Sequence, residues 1–215
     1  DAGPTVLTMR RVFDDLFETA GLALDDYVTL HKEDVLARHW WPDGSTLDLH
    51  ADPEASADAV RALGGPEAEA EFRAFTARAA ALFRAFDGPV IQSARPTFGG
   101  LAGHVMKRPG LIPAMDPFST LAASLKRQFR DPRLRQLFGR YATYVGGSPY
   151  ASPAILALIW WSEARGVWRV GGGMHNLARA LGDLARHAGA ELRFNAPVRR
   201  IEVQGGAVAA VHLRS

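Results

Sequence analysis

Hydrophobic residues recur at helical spacing along much of the chain. The clearest case is an aromatic stripe of Phe72, Phe75, Phe83 and Phe86, which would share one helix face. Such a stripe is most often the face that packs into the core. The pattern predicts helices over residues 10–20, 53–63, 66–86, 117–129, 132–145, 153–161 and 174–187.

Shorter apolar runs bounded by turn residues predict the strands. The run Pro42-Asp43-Gly44-Ser45 carries turn chemistry, so a hairpin is expected to pair residues 35–41 with 46–50 inside a β segment over 28–50. Gly205-Gly206 predicts a second two-residue hairpin turn. Further strands are expected over 1–8, 167–170, 191–194, 198–204 and 207–213, whereas Gly and Pro make 88–116 irregular.

This succession gives a mostly helical middle followed, from Gly166, by a strand, a turn, a helix and further strands. The predicted fold class is therefore α+β. The 215 residues would suffice for one large domain or two small ones.

Composition removes several kinds of chemistry. The chain has no Cys, which excludes disulfides, thiol nucleophiles and iron–sulfur clusters. Its seven His are dispersed without the spacing of metal ligands, so no metal is expected. The apolar run over 155–161 is too short to span a bilayer. The net charge of +2 gives no case for nucleic acid, and the basic run over 126–140 is typical of a solvated helix face, with an anionic surface or cofactor as the alternative.

A glycine-rich turn is the main candidate for ligand contact. Gly171, Gly172 and Gly173 join a predicted strand to a predicted helix, where the backbone can approach a ligand and the helix N-terminus favours an anion. The turn lacks the third glycine of the dinucleotide fingerprint. A plain tight turn is the competing interpretation.

Four segments, in order, resemble carotenoid desaturases of the phytoene dehydrogenase type. They read DAGPT over 1–5, VGGSPY over 145–150, GVWRVGGG over 166–173 and AELRFNAPV over 190–198, followed by Ile201-Glu202. Residues 3–14 and 138–147 look most like the branch that desaturates 1-hydroxy- or 1-methoxy-neurosporene. The likeness extends over nearly the whole chain.

The resemblance implies FAD as the cofactor and a carotenoid as the substrate. No ordinary side chain accepts a hydride, so desaturation of a carbon–carbon bond needs such a cofactor. The resemblance also implies three segments: 1–10 as a strand of the FAD domain, 11–165 as a substrate domain and 166–215 as the return to the FAD domain. Since the main FAD fingerprint is missing, this sequence resembles the central piece of a longer enzyme, and alone it is expected to be inactive and to retain no FAD.

The resemblance also suggests roles for individual residues. Gly3, Pro4 and Thr5 match the strand beside the flavin ring, and Val198 matches the position whose backbone meets the adenine, with the Gly171–Gly173 turn beside it. Asp131 and Arg135 match a cluster proposed for acid–base or positioning work. The alternative for Asp131 is a helix cap before Pro132.

A carotenoid dissolves in the membrane, so the enzyme is expected to dock peripherally on a bilayer, at the cytoplasmic face of the inner or intracytoplasmic membrane. Within 88–116, the candidate docking surface or substrate entry consists of Met106, Leu111, Ile112 and Met115. Two other functions stay open: a related flavin amine oxidase or carotenoid isomerase, and a non-enzymatic binding module.

Overall fold

Helices dominate residues 6–214, which are the residues that the computed structural model describes. The helices are α1 (Arg10–Thr19), α2 (Pro53–Phe86), α3 (Phe98–Met106), α4 (Leu111–Met115), α5 (Leu121–Gln128), α6 (Pro132–Gly139), α7 (Ile159–Ala164) and α8 (Met174–His187). The strands are β1 (Leu30–Lys32), β2 (Val35–Trp40), β3 (Thr46–His50), β4 (Trp168–Val170), β5 (Val198–Gln204) and β6 (Ala207–Leu213). Short 3₁₀ helices cover Leu24–Asp26, Arg140–Val145 and Ala154–Leu158, and a π-helical turn covers Asp87–Ile91.

Within residues 6–214, the strands pair antiparallel in three two-stranded sheets: β1 with β4, β2 with β3, and β5 with β6. This mixture of helices with small sheets confirms the α+β class in its coarse form. Across the described residues, no helix has both the length and the apolar character that a membrane span requires.

The long helix α2 consists of two arms. Asp52 caps its start by accepting a hydrogen bond from the Glu54 amide, and Pro53 occupies the first turn. At Gly65 the backbone leaves the helical region with φ of +84°, directly before Pro66. The two predicted helices over 53–63 and 66–86 are confirmed as these arms.

The larger hydrophobic core lies between α2, the β2–β3 hairpin and helices α5 to α7. The aromatic stripe of α2 is confirmed as a core face, because all four of its phenylalanines are buried. The ring centre of Phe138 lies 4.4 Å from Phe75 and 5.6 Å from Trp160. These distances allow tilted and edge-to-face aromatic packing.

A smaller core joins the beginning of the described chain to the segment after Gly166. Leu7 and Trp168 exchange two backbone hydrogen bonds of 2.8 Å, and β1 pairs with β4. The buried members of this core are Leu7, Phe17, Leu24, Val28, Val170, Leu177, Ala180 and Leu184. Helix α1 therefore packs with α8, while the predicted domain boundaries stay a prediction.

The prediction that 88–116 is irregular is wrong. The segment holds α3 and α4, and the Thr97 hydroxyl caps α3 by accepting from the Gly100 amide. Three glycines inside α3, and Pro109-Gly110 between the two helices, had obscured the pattern. Capping and tertiary packing outweigh the weak helix propensity there.

Several boundaries also differ from the predictions. No strand forms over 191–194, where Leu192 and Phe194 are exposed and no neighbouring edge pairs with them in the described chain. The predicted helix 117–129 starts only at Leu121, because Thr120 caps it and pairs with Pro153. The predicted helix 132–145 tightens after Gly139, and the predicted helix 153–161 is a tight turn that becomes α7 at Ile159.

Candidate functional site

A cleft of about 630 Å³ opens between α1, the Asp87–Ile91 turn, α7 and β4. Its walls include Met9 and Val12 from the α1 side, Ile91 opposite, and Trp168 from β4. A volume of this size suits an organic ligand with apolar parts. The cleft is the first candidate for a substrate site.

The cleft lies at the meeting of two segments that are far apart in sequence. Leu7 is paired with Trp168, so the described chain enters beside β4 and reaches the cleft at Met9. Met9 has φ of +53°, an uncommon conformation for a non-glycine residue. Such positions are found where the surrounding structure holds the backbone for function.

Ion pairs occupy most of the charges on the α1 side of the cleft. Arg10 donates to Asp25 at 2.6 Å and to Asp14 at 3.2 Å, and the hydrogen bond that it donates to Asp25 raises the pKa of Arg10. Arg11 pairs with Asp15 at 2.5 Å.

The opposite wall differs, because Arg165 lies 5.7 Å above the Phe83 ring and makes no ion pair within the described residues. Among the described cations of the cleft, Arg165 is therefore the one whose guanidinium is not paired with a carboxylate.

The Gly171–Gly173 turn follows directly after β4. The Gly171 amide donates to the Thr29 carbonyl at 2.8 Å, and a side chain at Gly171 would contact that carbonyl at 3.2 Å. Gly172 and Gly173 have φ of +72° and +94°, a region that glycine enters without strain. The structure thus explains all three glycines by backbone geometry, and α8 begins at the next residue without a side-chain cap.

The other predicted cofactor residues lie elsewhere. Gly3, Pro4 and Thr5 fall outside the described residues. Val198 begins β5, opposite Leu213, and is exposed. No hydrogen bond in the described chain joins Val198 to the glycine turn. The cofactor role of these residues stays a prediction.

Asp131 and Arg135 have local structural partners. Asp131 caps α6 by accepting from the Arg133 amide at 2.8 Å, and the Arg133 guanidinium binds the same carboxylate, which lowers the pKa of Asp131. Arg135 donates to the carbonyls of Phe129 and Arg130 at 2.7 and 2.5 Å. Neither residue lines the cleft. The capping interaction is present, and the acid–base role stays a prediction.

The predicted membrane-facing residues differ in exposure. Met106 and Ile112 are exposed, whereas Leu111 and Met115 are half-buried in α4. The carbonyl of Ala114 accepts from Nε of Arg78, which fixes α4 against α2. Leu111, Ile112 and Met115 therefore lie on a helix held against α2, whereas Met106 ends the preceding helix α3.

A buried polar cluster was missed from the sequence. Glu163 is buried in α7 and accepts hydrogen bonds from Arg140 at 2.5 Å, from Tyr141 at 2.9 Å and from Tyr144. Burial raises the pKa of Tyr141 well above its usual value, and burial with the Glu163 hydrogen bond raises the pKa of Tyr144 to about 12. Burial and the Arg140 charge lower the pKa of nearby His39. The only sequence signal was a lone acid at the end of an apolar helix.

Comparison of the sequence with known proteins assigns the chain to a family. All 215 residues match the family described as flavin containing amine oxidoreductase. The chain belongs to this family. It is 54% identical to the hydroxyneurosporene desaturase of Cereibacter sphaeroides and 46% identical to that of Rhodobacter capsulatus, over 99% and 100% of its length. It is 32% identical to a 4,4'-diapolycopene oxygenase of Methylomonas sp over 99% of its length.

The matches also set a limit on what the chain contains. It covers 43% of the Cereibacter protein, 44% of the Rhodobacter protein and 43% of the Methylomonas protein. The chain thus spans less than half the length of these relatives.

In the described residues, no group of three or more His, Asp and Glu side chains is arranged to hold a metal ion.

Proposed function

We propose that the chain is part of an FAD-dependent desaturase that acts on a carotenoid such as 1-hydroxyneurosporene, in carotenoid biosynthesis. The observation that carries the proposal is the identity of 44–54% to three hydroxyneurosporene desaturases over at least 99% of this chain. The cleft at Trp168, on the strand that precedes the glycine turn, adds structural support. Among the other classes considered, a related flavin amine oxidase would share the family match, but these three relatives are named as desaturases, which favours desaturation over an amine oxidase, a carotenoid isomerase or a binding module.

The described residues fit part of a flavin site. The glycine turn is exposed at Gly172 and Gly173, and a Cβ at Gly173 would meet no atom within 4 Å, so the backbone there is open to a neighbouring group. The backbone amides at the start of α8 favour an anionic group such as a phosphate. We propose that this turn, Val198 and Gly3, Pro4 and Thr5 hold FAD together with protein outside this sequence.

The cofactor would supply the chemistry that the side chains lack, since a bound flavin accepts the hydride of a desaturation. The remaining tasks fall to the chain. The apolar walls Val12, Ile91 and Trp168 would hold the polyene straight and exclude water. Asp87 is the carboxylate of the cleft outside the ion pairs of α1, and it accepts from Gln92 at 2.8 Å. Asp87 is therefore an alternative to Asp131 as the group that would receive the proton removed from the substrate.

Filling the cleft tests the proposal. Ser162→Trp in a full-length enzyme that contains this sequence should lower the desaturation rate of 1-hydroxyneurosporene at least tenfold. This loss corresponds to an activation free energy that is higher by about 1.4 kcal/mol or more. Ala70→Trp, on the exposed face of α2, is the matched control. Flavin absorbance and the melting temperature should be unchanged in both variants. Full activity of the Ser162 variant would contradict the assignment of the cleft.

The proton acceptor can be tested separately. Asp87→Asn should flatten the pH profile of the desaturation rate if Asp87 receives the proton, whereas Asp131→Asn should flatten it if Asp131 does. Loss of the α6 cap alone would lower the melting temperature and leave the profile unchanged.

Because carotenoids dissolve in lipid, we also propose that the enzyme docks peripherally at the cytoplasmic face of its membrane, with Met106 and Ile112 facing the lipid and Leu111 and Met115 supporting them. The exposure of Met106 and Ile112 supports this assignment.

A further inference from the structure

Two exposed aromatic side chains lie on adjoining segments of the chain, before α5 and before Ala151. Phe118 is 99% exposed and Tyr150 is 80% exposed. Their segments are joined, because the Ala122 amide donates to the Pro149 carbonyl and the Leu121 amide donates to the Ser152 carbonyl, both at 2.8 Å. Exposed aromatic rings on adjoining segments, unlike a single exposed side chain, mark a candidate interaction surface.

The helix next to these residues carries the positive charge. Lys126 and Arg127 lie on the exposed side of α5, and the Arg127 guanidinium binds the Asp116 carboxylate and the Ser119 hydroxyl, on either side of Phe118. Lys126 makes no ion pair in the described chain. Between residues 104 and 130 there are five Lys and Arg against a single acid, Asp116, and of these Arg130 is paired with Glu71 of α2.

Aromatic rings beside cations match one kind of surface well. At a bilayer interface, an apolar ring inserts below the headgroups, tyrosine spans the boundary, and Lys or Arg contacts anionic headgroups. We propose that Phe118, Tyr150, Lys126 and Arg127 form an anchor patch that binds an anionic phospholipid bilayer. This inference rests on the proposed function in one respect: the proposed carotenoid substrate is dissolved in the bilayer, so the enzyme has to bind the membrane to reach it.

The anchor patch differs from the surface predicted from the sequence. Met106 and Ile112 would approach the lipid from the neighbouring helices α3 and α4, and the Arg127–Asp116 pair connects the end of α4 to the patch. Phe118 and Tyr150 offer more free side chain than Leu111 or Met115, which are half-buried. The patch should therefore add insertion energy to that of the exposed Met106 and Ile112.

Vesicle binding of the full-length enzyme tests the patch without any substrate. The double variant Phe118→Ser, Tyr150→Ser should bind phosphatidylcholine–phosphatidylglycerol vesicles at least about tenfold more weakly. Lys126→Gln should lose roughly fivefold on these vesicles and nothing on pure phosphatidylcholine. Phe194→Ser, which removes an exposed ring on the loop before β5, is the control and should bind as the parent does.

Two outcomes would overturn the inference. If the double variant binds vesicles normally but melts at a lower temperature, the rings are covered by the rest of the protein. If it binds normally but changes its oligomeric state, they are covered by a second copy. An enzyme that binds vesicles through the patch but desaturates no carotenoid would refute the proposed function and leave the patch intact.

Discussion

The two hairpins of this protein have equally clear turns and very different surroundings. In the β2–β3 hairpin, Leu47 and Leu49 are buried beneath α2. In the β5–β6 hairpin, no residue is buried, although Ile201 stands opposite Val211 and Val203 opposite Val208. A hairpin can therefore be set by local turn chemistry, while the burial of its apolar side depends on what packs against it.

The same contrast holds for two glutamates that collect hydrogen bonds. Glu163 binds Arg140, the buried Tyr141 and the more exposed Tyr144 at the edge of the larger core. On the second hairpin, Glu202 binds Arg200 at 3.0 Å, His212 at 2.7 Å and Gln204 at 2.7 Å, and all of these groups are at the surface. Similar networks should thus differ in energy, because only the first is removed from water.

The largest effect is expected from Glu163→Ala. It would leave the Arg140 charge partly buried without its carboxylate, which typically destabilises a protein by about 3–5 kcal/mol. Glu202→Ala is the matched variant and should leave the free energy of unfolding unchanged, since water replaces the lost partners. Urea denaturation followed by circular dichroism measures both. Equal losses in the full-length enzyme would mean that the second network is buried there by protein outside this sequence.

Truncating the apolar residues of the hairpins should have the next largest effect. Leu49 is 0% exposed, so Leu49→Ala should cost about 2–5 kcal/mol through lost contacts and a cavity. Ile201 is 58% exposed, so Ile201→Ala should change the free energy of unfolding by no more than about 0.5 kcal/mol.

The same urea titration compares these two variants in the isolated chain and in the full-length enzyme. A large loss for Ile201→Ala in the longer protein alone would show that its apolar side is covered there.

These comparisons also show what could be predicted from the sequence. Both hairpins and the aromatic face of α2 were predicted, because turn residues and periodicity act locally. The Glu163 cluster was missed because its donors, at 140–144, are separated from Glu163 in sequence and meet only after folding. The cap at Asp131 was foreseen as an alternative, since a cap needs only the next few residues. The cleft was not foreseen, because it depends on Leu7 meeting Trp168.

The smallest effect should appear at high pH, and it also separates the two networks. Burial and the Glu163 hydrogen bond raise the pKa of Tyr144 to about 12, and burial raises the pKa of Tyr141 well above its usual value, whereas both should ionise near 10 in the unfolded chain. The folded state therefore holds these protons more tightly. Their contribution is complete below pH 10 and is lost as the pH rises towards 12.

With only three Lys in the chain, few other groups titrate in that window. Unfolding in urea at a series of pH values should show stability falling above pH 10, and Tyr144→Phe should make this fall shallower. His212→Gln on the exposed hairpin should leave it unchanged. An unchanged slope in the Tyr144 variant would mean that its hydroxyl is hydrated, and that the network of Glu163 is as accessible to water as that of Glu202.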